Sequence, residues 1–352
     1  MLRSRRTADP RHARPGGRRR RPQPDRHGPD GGPHAARADR RRGPPVKTLV
    51  VGSGFVGRAI ARHLLDHGDE AVLASRTPPF ADGAPVTPDW VPLDVAVPGA
   101  FAETLHRTAA DTVVLVHGPS DVTWCESHPE EAMAGHAGAA RMVAEAAGDR
   151  RVVFISTDNV FDGTAVTSSE STPTHPANAY GRAKRAAEDV LSALPGAVLL
   201  RVSLIYGWET ADTPKWLNFF ASCVHRLRAG ETVAAPYDQW TTPVLIDDVA
   251  EATRALVTTA TAPKLLHLGG PDRISRADWA AGIAAALGVP RERVTAEPRA
   301  HGRYAHRPAS TCLSSELFAT HPATAALRPR PVQEATRLLL GRHLPPTVRS
   351  TA

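Results

Sequence analysis

The chain has 352 residues, 41% of them hydrophobic, so it can bury the core of one large domain or of a domain with a smaller lobe. No apolar run approaches the roughly 18 residues that a membrane span requires, and we expect no membrane segment. The three cysteines are odd in number and far apart, which indicates neither a disulfide framework nor a metal cluster and favours a reducing cytoplasm.

The net charge of +7 comes from the N-terminal tail. Residues 1–45 hold 14 arginines, no lysine and four aspartates, which gives this tail a charge of +10 and leaves −3 for residues 46–352. The tail is rich in Arg, Pro and Gly, and this composition predicts disorder. An arm that binds nucleic acid and a targeting peptide are two functional interpretations. We favour a third, a dispensable extension, and expect no nucleic-acid partner.

From Lys47 onwards, short apolar runs alternate with segments of helical spacing. Predicted strands span Lys47–Val51, Ala71–Ala74, Val91–Leu93, Thr112–Val116, Val152–Ile155 and Ala197–Val202. Predicted helices begin at Phe55, cover Pro129–Ala147, and run from Asn178, as N-cap, to Leu194. The repeated strand–helix units predict an α/β fold: a Rossmann-like, doubly wound parallel sheet over residues 46–205.

The regular alternation ends after Ile205. The second half holds a loop and helix within Trp208–Gly230, a polar and aromatic loop at Pro236–Pro243, a helix at Ile246–Thr259, a strand at Leu265–Leu268 and a helix from Ser275 to Leu287. This pattern predicts a smaller C-terminal substrate-binding lobe over residues 206–345, interleaved with the last elements of the sheet.

A glycine-rich turn follows the first predicted strand and opens the first helix. Its residues are Gly52-Ser53-Gly54-Phe55-Val56-Gly57, a G-x-G-x-x-G pattern in the context that dinucleotide binding requires. The first glycine permits the tight turn, the second a close approach to a pyrophosphate, and the third the packing of helix on strand. The N–H groups at the helix N-terminus then face the anion. We predict that all six residues bind the cofactor.

The end of the second strand favours NADP over NAD. An acidic residue at this place hydrogen-bonds the ribose of NAD and repels a 2′-phosphate. Here the strand ends in Ala74-Ser75-Arg76, where Arg76 can pair with a phosphate and Ser75 can donate to it. We predict NADPH as the cofactor, with NADH and a solvated Arg76 as the alternatives. Asp94, after the third strand, is a candidate acceptor for the adenine amino group or a turn residue.

Tyr180 and Lys184 are four residues apart on a predicted helix and therefore share one face. An ammonium group near a phenol favours the phenolate and lowers the pKa of the phenol. Such a tyrosine can exchange a proton with a sugar or alcohol oxygen near neutral pH. Ser156-Thr157 ends a strand between the glycine turn and this helix. The pattern predicts a site for carbonyl or alcohol chemistry.

These motifs resemble those of the extended short-chain dehydrogenase/reductases, and within them the dTDP-4-dehydrorhamnose reductases. The segments that carry the likeness are Ser156-Thr157-Asp158-Asn159-Val160-Phe161-Asp162-Gly163, Tyr180-Gly181-x-x-Lys184 with Glu188, Arg201-Val202-Ser203-Leu204-Ile205-Tyr206-Gly207, Asp238-Gln239-Trp240-Thr241-Thr242-Pro243, and Arg307-Pro308. The likeness runs through essentially all of the chain after the tail.

The resemblance implies three catalytic residues. Thr157 would hydrogen-bond the substrate carbonyl, and Tyr180 would donate a proton as hydride arrives. Lys184 would hold the nicotinamide ribose and lower the pKa of Tyr180, so both Tyr180 and Lys184 also contact the cofactor. The residues expected to bind substrate are Asp158, Asn159, Trp208, Gln239 and Arg307. Trp208 would stack on a nucleobase unless it belongs to the lobe core, and Arg307 would pair with a pyrophosphate unless it faces only water.

Several positions depart from the pattern of that family. Asn159 replaces the usual tyrosine, residues 116–120 (Val-His-Gly-Pro-Ser) replace the usual N-A-A-A run beside the nicotinamide, and His136 stands where many relatives have asparagine. Asn159 also occupies the place of a glutamate that related dehydratases use. Because an amide cannot act as a general base, simple reduction is favoured over dehydration.

The resemblance implies an NADPH-dependent reductase of a nucleotide-linked 4-keto-6-deoxysugar, in polysaccharide or natural-product biosynthesis. The alternatives are a sugar epimerase, a reductase of another carbonyl compound, and a non-catalytic NADP-binding regulatory subunit. The sequence leaves the oligomeric state open, with a homodimer as one candidate. The sixteen histidines show no H-E-x-x-H motif or clustered spacing, so we expect no catalytic metal.

Overall fold

The computed structural model describes residues 45–80, 87–212, 216–300 and 302–344. The tail predicted at residues 1–45 therefore lies outside the described residues, apart from Pro45. All the described residues belong to one compact unit.

Strands and helices alternate along the first half of the described chain. The first strands are β1 (Lys47–Val51), β2 (Glu70–Ser75), β3 (Asp89–Pro92), β4 (Thr112–Leu115), β5 (Arg151–Thr157), β6 (Ala197–Val202) and β7 (Ile205–Tyr206). The later ones are β8 (Val233–Pro236), β9 (Trp240–Thr241), β10 (Val244–Leu245), β11 (Leu265–Leu268), β12 (Ile274–Ser275), β13 (Val294–Glu297) and β14 (Ser310–Thr311). The six strands predicted before residue 205 are confirmed: β1 and β6 have the predicted bounds, and the other four have ends shifted by one or two residues.

The helices flank these strands. The first half contains α1 (Phe55–Asp66), α2 (Ala100–Thr108), α3 (Val122–Ser127), α4 (Pro129–Met133), α5 (Ala139–Ala146) and α6 (Ala179–Ser192). The second half contains α7 (Phe219–Arg228), α8 (Ile246–Thr258), α9 (Arg276–Ala286), α10 (Glu316–Thr320) and α11 (Val332–His343). The single helix predicted over Pro129–Ala147 is interrupted: a π turn at Ala134–Gly138 separates α4 from α5.

Seven parallel strands form the central sheet in the order β11-β6-β5-β4-β1-β2-β3. The order reverses at β1, which pairs with β2 on one side and β4 on the other. In an open sheet of this kind, ligands bind in the crevice beyond the carboxyl ends of the strands at the point of reversal. The predicted doubly wound parallel sheet is confirmed, and β11 returns from the second half of the chain to extend it.

Two hydrophobic layers cover the sheet. On one face α1 and α8 contribute Ile60, Leu64 and Leu256, all fully buried. On the other face α5 and α6 contribute Val143 and Leu191. Strands covered on both faces read as continuous apolar runs, which is why β4 and β6 carry so little polar alternation.

The second half of the chain builds a separate hydrophobic cluster around Trp279, a fully buried residue of α9. Tyr206 meets the Trp279 ring edge-on at 4.9 Å, and Phe219 lies 5.0 Å from it. Helices α7 and α11 add further apolar side chains to this cluster. The chain therefore has a core beyond the sheet, next to the strand ends where the predicted site residues lie.

Candidate active site

The glycine turn after β1 closes tightly against the start of α1. Gly52 has a φ of +116°, a backbone conformation that side chains rarely adopt, and its N–H donates to the carbonyl of Ala74 over 2.8 Å. A Cβ atom on Gly57 would lie 1.8 Å from the Gly52 carbonyl oxygen, so only glycine lets α1 approach the turn. No side chain caps this helix at Gly54. The turn and the helix N-terminus thus fit the pyrophosphate of a dinucleotide.

The end of β2 forms a hydrogen-bonded group beside this turn. The Ser75 hydroxyl lies 2.7 Å from the Ser53 hydroxyl and accepts a hydrogen bond from Trp90 Nε1 over 3.0 Å. Arg76 follows it and is exposed. Asp94 Oδ1 accepts from the N–H of Ala96 over 2.9 Å, the geometry of a turn residue, at the carboxyl end of the neighbouring β3.

Tyr180 lies in the first turn of α6, near the end of β5. The Asn178 side chain caps α6 by accepting from the N–H of Gly181 over 2.8 Å, as predicted. The Tyr180 side chain lies near that of Thr157, the last residue of β5. Lys184, one turn further along α6, is buried and donates to the carbonyl of Ile155 over 2.8 Å. The structure therefore brings the three predicted catalytic residues to one place.

The ionisation of Tyr180 is set mainly by its burial. Loss of hydration raises the pKa of its phenol, and the hydrogen bond with Thr157 offsets only part of this rise. The expectation that Lys184 lowers the pKa of Tyr180 stays a prediction, because Lys184 is not among the groups that shift this pKa here. Burial lowers the pKa of Lys184 itself to about 7, although the charge of Glu188 opposes the shift. A phenol with a raised pKa stays protonated at neutral pH and so holds the proton that a reduction needs, while a pKa nearer the working pH would make it the stronger acid.

A buried ion pair lies next to the end of β5. Glu188 of α6 is fully buried, and its two oxygens accept from Arg201 Nε and Nη2 over 2.9 and 2.8 Å. The Ser156 hydroxyl donates to the same carboxylate over 2.5 Å. Arg201 also reaches His267 Nε2, at 3.4 Å. The pair therefore ties β5, β6, β11 and α6 together next to Thr157.

Asp158 and Asn159 follow Thr157 in a short helical turn. The Asp158 carboxylate is buried and accepts from Thr157 Oγ1 over 3.1 Å, Asn159 Nδ2 over 2.8 Å and Ser203 Oγ over 3.1 Å. Burial raises its pKa to about 6. Its oxygens are engaged by protein donors, which orients Thr157 and Asn159, and contact of Asp158 with substrate stays a prediction. Asn159 is half-buried and also accepts from Asn178 Nδ2 over 2.9 Å.

Two residues expected to meet the substrate are engaged elsewhere. The Trp208 ring stacks on His343 of α11, with centroids 4.7 Å apart and planes 6° from parallel, and meets His225 of α7 edge-on. This packing favours the lobe-core alternative over stacking on a nucleobase. Gln239 is buried, and its Nε2 donates to the Pro308 carbonyl over 3.4 Å while its Oε1 has no partner among the described residues.

Three arginines gather around the buried ring of Tyr304. The guanidinium carbons of Arg276, Arg303 and Arg307 lie 5.6, 5.8 and 5.7 Å from the ring centroid. Burial and the charges of the other two arginines lower the pKa of Arg307 to about 10. The cluster borders a cavity of about 160 Å³ lined by residues including Phe219, Cys223, Arg303 and Tyr304. Such a group of cations forms a site for an anion.

Arg276, the first residue of α9, was missed by the sequence reasoning. It is only 7% exposed, its Nε atom has no hydrogen-bond partner, and no carboxylate of the described residues forms an ion pair with it. Its guanidinium lies 4.8 Å from the Phe219 ring centroid. Nothing in the sequence distinguishes it from an ordinary first-turn arginine, because its burial depends on the packing of α7 and α9.

Comparison with known families identifies the family of this chain. Residues 46–342 match the family described as RmlD substrate binding domain. The chain belongs to this family. The resemblance to dTDP-4-dehydrorhamnose reductases is thereby confirmed, and the family spans the sheet, the glycine turn, the Tyr180 region and the arginine cluster.

Individual relatives of the family are similar over parts of the chain. A dTDP-4-keto-6-deoxy-D-glucose reductase of Streptomyces niveus is 34% identical over 177 residues, 46% of this chain and 59% of that protein. The chain therefore matches about three fifths of that relative's length. A dTDP-4-dehydrorhamnose reductase of Mycobacterium tuberculosis is 31% identical over 246 residues, 67% of this chain and 77% of that protein.

The fold recurs in solved structures of other proteins. A dTDP-4-dehydrorhamnose reductase of Bacillus anthracis, solved in complex with NADP, superposes with a TM-score of 0.68 at 18% identity and covers 85% of this chain and 99% of that one. At this identity the likeness establishes the fold. Across the described ranges, no helix combines the length and apolar character needed to cross a bilayer.

Proposed function

We propose that the protein is an NADPH-dependent reductase of a nucleoside diphosphate 4-keto-6-deoxysugar. This proposal rests on one observation: Tyr180, Thr157 and Lys184 lie together at the end of β5. The dTDP-sugar reductases among the relatives support the substrate class. In this proposal residues 46–205 hold the cofactor and residues 206–345 form the lobe that holds the nucleotide sugar.

The chain's own groups would act as follows. Reduction of a ketone builds negative charge on the carbonyl oxygen, and donors already aimed at that oxygen stabilise it. Thr157 and Tyr180 lie near each other, so both hydroxyls are placed to approach one oxygen atom. Tyr180 would release its proton to that oxygen, and Lys184 would stabilise the phenolate that remains. NADPH, when bound, supplies the hydride.

The cofactor site would comprise the glycine turn and the end of β2. Residues 52–57 fit a pyrophosphate, since the bare glycine turn meets the uncapped N-terminus of α1. Ser75 and Arg76 would bind the 2′-phosphate of NADPH, and the Trp90 and Ser53 contacts already orient the Ser75 hydroxyl. Asp94 stays a prediction for the adenine end.

Replacing Arg76 with alanine is expected to discriminate between the two cofactors. Loss of a charge-assisted hydrogen bond to the 2′-phosphate should raise the Kd of NADPH about 10-fold or more and leave NADH binding nearly unchanged. Fluorescence titration of the reduced cofactors measures both affinities. Arg107→Ala, on exposed α2, is the matched control. An equal loss of affinity for NADPH and NADH would show that Arg76 does not bind the 2′-phosphate.

The arginine cluster would bind the diphosphate of the substrate. Taking a guanidinium out of water costs several kcal/mol unless an opposite charge compensates it, and a bound diphosphate would supply such a charge. Arg276 fits this description, with Arg303 and Arg307 as its neighbours. In this proposal Arg307 pairs with the pyrophosphate, as expected from the sequence, and Arg276 pairs with it as well.

Replacing Arg276 with methionine is expected to weaken dTDP binding without weakening the fold. The Kd of dTDP should rise about 10- to 100-fold, the worth of one or two hydrogen bonds to a charged group. The free energy of unfolding should stay level or increase, because an unpaired buried charge is removed. Calorimetric titration and urea unfolding measure the two effects. The exposed Arg228→Met is the control, and unchanged dTDP affinity in the Arg276 variant would contradict the assignment.

The direct test of the proposed function is NADPH oxidation, followed by absorbance, with dTDP-4-keto-6-deoxysugars as substrates. Turnover to a 4-hydroxy sugar supports a reductase. Interconversion of hydroxy sugars without net oxidation of NADPH would indicate an epimerase, and NADPH binding without turnover would indicate a regulatory subunit. A cytoplasmic location belongs to this proposal, and a homodimer stays a prediction.

A further inference from the structure

The π turn at Ala134–Gly138 places one side chain against the proposed catalytic tyrosine. A π turn inserts one extra residue into a helix, shifts the side chains that follow and occurs frequently at functional sites. His136 lies within this turn and is only 2% exposed. The turn packs against α6, the helix that carries Tyr180. His136 is thus a buried polar residue that the proposed reaction does not yet use.

The imidazole of His136 fixes the segment that follows β4. Its Nε2 atom lies 2.9 Å from the carbonyl oxygen of Pro119, and because a carbonyl only accepts, Nε2 carries the hydrogen. Gly118 has a φ of +124°, and a Cβ atom there would lie 2.2 Å from the ring atoms Nδ1 and Cε1. The ring therefore fills the space of the missing side chain. Residues 117–119 are shaped around His136.

The same imidazole contacts the ring of Tyr180. The two ring centroids are 5.6 Å apart, with the planes 70° from parallel, which is an edge-to-face arrangement. Thr157 lies near the Tyr180 side chain as well, so the ring has both Thr157 and His136 as neighbours. The imidazole thus connects the end of β4 to the proton donor.

The imidazole of His136 is uncharged in this position. Burial lowers the pKa of His136 to about 3, and the positive charge of Lys184 acts in the same direction. The other groups that face it are the Pro119 carbonyl and His117, and no carboxylate contributes. A neutral ring adds no charge beside Tyr180 and therefore acts through its shape and its single hydrogen bond.

We propose that His136 is a positioning residue: its imidazole locks residues 117–119 at the end of β4 and holds the Tyr180 ring in the orientation for proton transfer. This inference rests on the proposed function, in which Tyr180 donates the proton. A misplacement of about 1 Å in a reacting group can lower a rate about 100-fold without changing binding. The effect of losing His136 should therefore fall on kcat.

Two variants separate orientation from simple loss of structure. His136→Ala removes the ring, and we expect kcat to fall about 10- to 100-fold, with KM for the keto sugar and Kd for NADPH nearly unchanged. His136→Phe keeps a ring against Tyr180 but loses the bond to Pro119, so its kcat should lie between those of His136→Ala and the wild type. Gly138→Ala is the matched control, because a Cβ at this position of the same π turn meets open space.

A spectroscopic readout tests the positioning role independently of turnover. In protein with isotope-labelled tyrosine, one of the four tyrosines is assigned to Tyr180 by its absence in Tyr180→Phe. The ring signals of Tyr180 should show slow rotation in the wild type and in His136→Phe, and fast averaging in His136→Ala. If the wild type reduces no keto sugar, the proposed function fails and these signals alone decide the role of His136. Unchanged Tyr180 signals in His136→Ala, or a loss confined to NADPH binding, would overturn the inference.

Discussion

Replacing Tyr180 with phenylalanine is expected to lower kcat for reduction of a dTDP-4-keto-6-deoxysugar by about 10²- to 10⁴-fold, the usual contribution of a positioned general acid. The substitution removes one hydroxyl group and keeps the ring that His136 contacts. Thr157 remains as a donor to the carbonyl oxygen, so part of the stabilisation of negative charge survives. Steady-state NADPH oxidation measures the loss.

The affinity for NADPH separates a catalytic role from a structural one. Tyr180→Phe should bind NADPH nearly as the wild type does, because the pyrophosphate and the 2′-phosphate are held at the glycine turn and the end of β2. Lys184→Met provides a comparison, since this side chain is proposed to hold the nicotinamide ribose and should affect binding as well as kcat. Wild-type turnover in the phenylalanine variant would rule out Tyr180 as the proton donor.

The raised pKa of Tyr180 fits the reductive direction. A base must be deprotonated before it acts, whereas an acid must keep its proton until the carbonyl oxygen gains negative charge. Burial keeps the phenol protonated at neutral pH, and the buried Lys184, with its pKa lowered to about 7, adds little charge above that pH. The spacing of Tyr180 and Lys184 places both on one helix, but it does not reveal how far the two side chains are removed from water, which sets the direction of these pKa shifts.

Much of the sheet could be predicted because its signals are local. Gly52–Gly57 combine a turn, a strand end and a helix start within six residues, and Asn178 caps α6 with its own side chain. The strands are apolar on both faces, so each could be located without knowing its neighbours. Helix α11 was missed although Val332, Ala335 and Leu339 have helical spacing and are buried.

The rest depends on contacts between distant parts of the chain. The π turn at Ala134–Gly138 has no local signal, and it is the packing of this turn against α6 that buries His136. The sequence left Trp208 open between a nucleobase and the lobe core, and in the structure it stacks on His343, a residue more than a hundred positions away. The two-residue strands of the lobe also depend on residues that are distant in the sequence, since β9 pairs with β14 and thereby places Trp240 opposite Ser310.

Replacing Glu188 with alanine is expected to lower the free energy of unfolding by about 3–5 kcal/mol, since it leaves a buried guanidinium without its partner. Arg201 is 5% exposed and makes two hydrogen bonds to Glu188, whose carboxylate also accepts from Ser156. Urea unfolding measures the loss. The exposed pair Arg226–Glu231, with N and O atoms 2.8 Å apart, is the matched control: Glu231→Ala should cost less than about 1 kcal/mol.

The conservative variant Glu188→Gln links this stability to the chemistry. Glutamine can still accept hydrogen bonds from Arg201, so the unfolding free energy should fall less than in the alanine variant. The negative charge is lost, however, and this charge opposes the lowering of the Lys184 pKa. The pKa of Lys184 should therefore fall further, and the lysine-dependent step in the pH–rate profile should move to lower pH. If Glu188→Ala were as stable as Glu231→Ala, or if the glutamine variant kept the wild-type pH profile, the buried pair would have no part in holding or tuning the site.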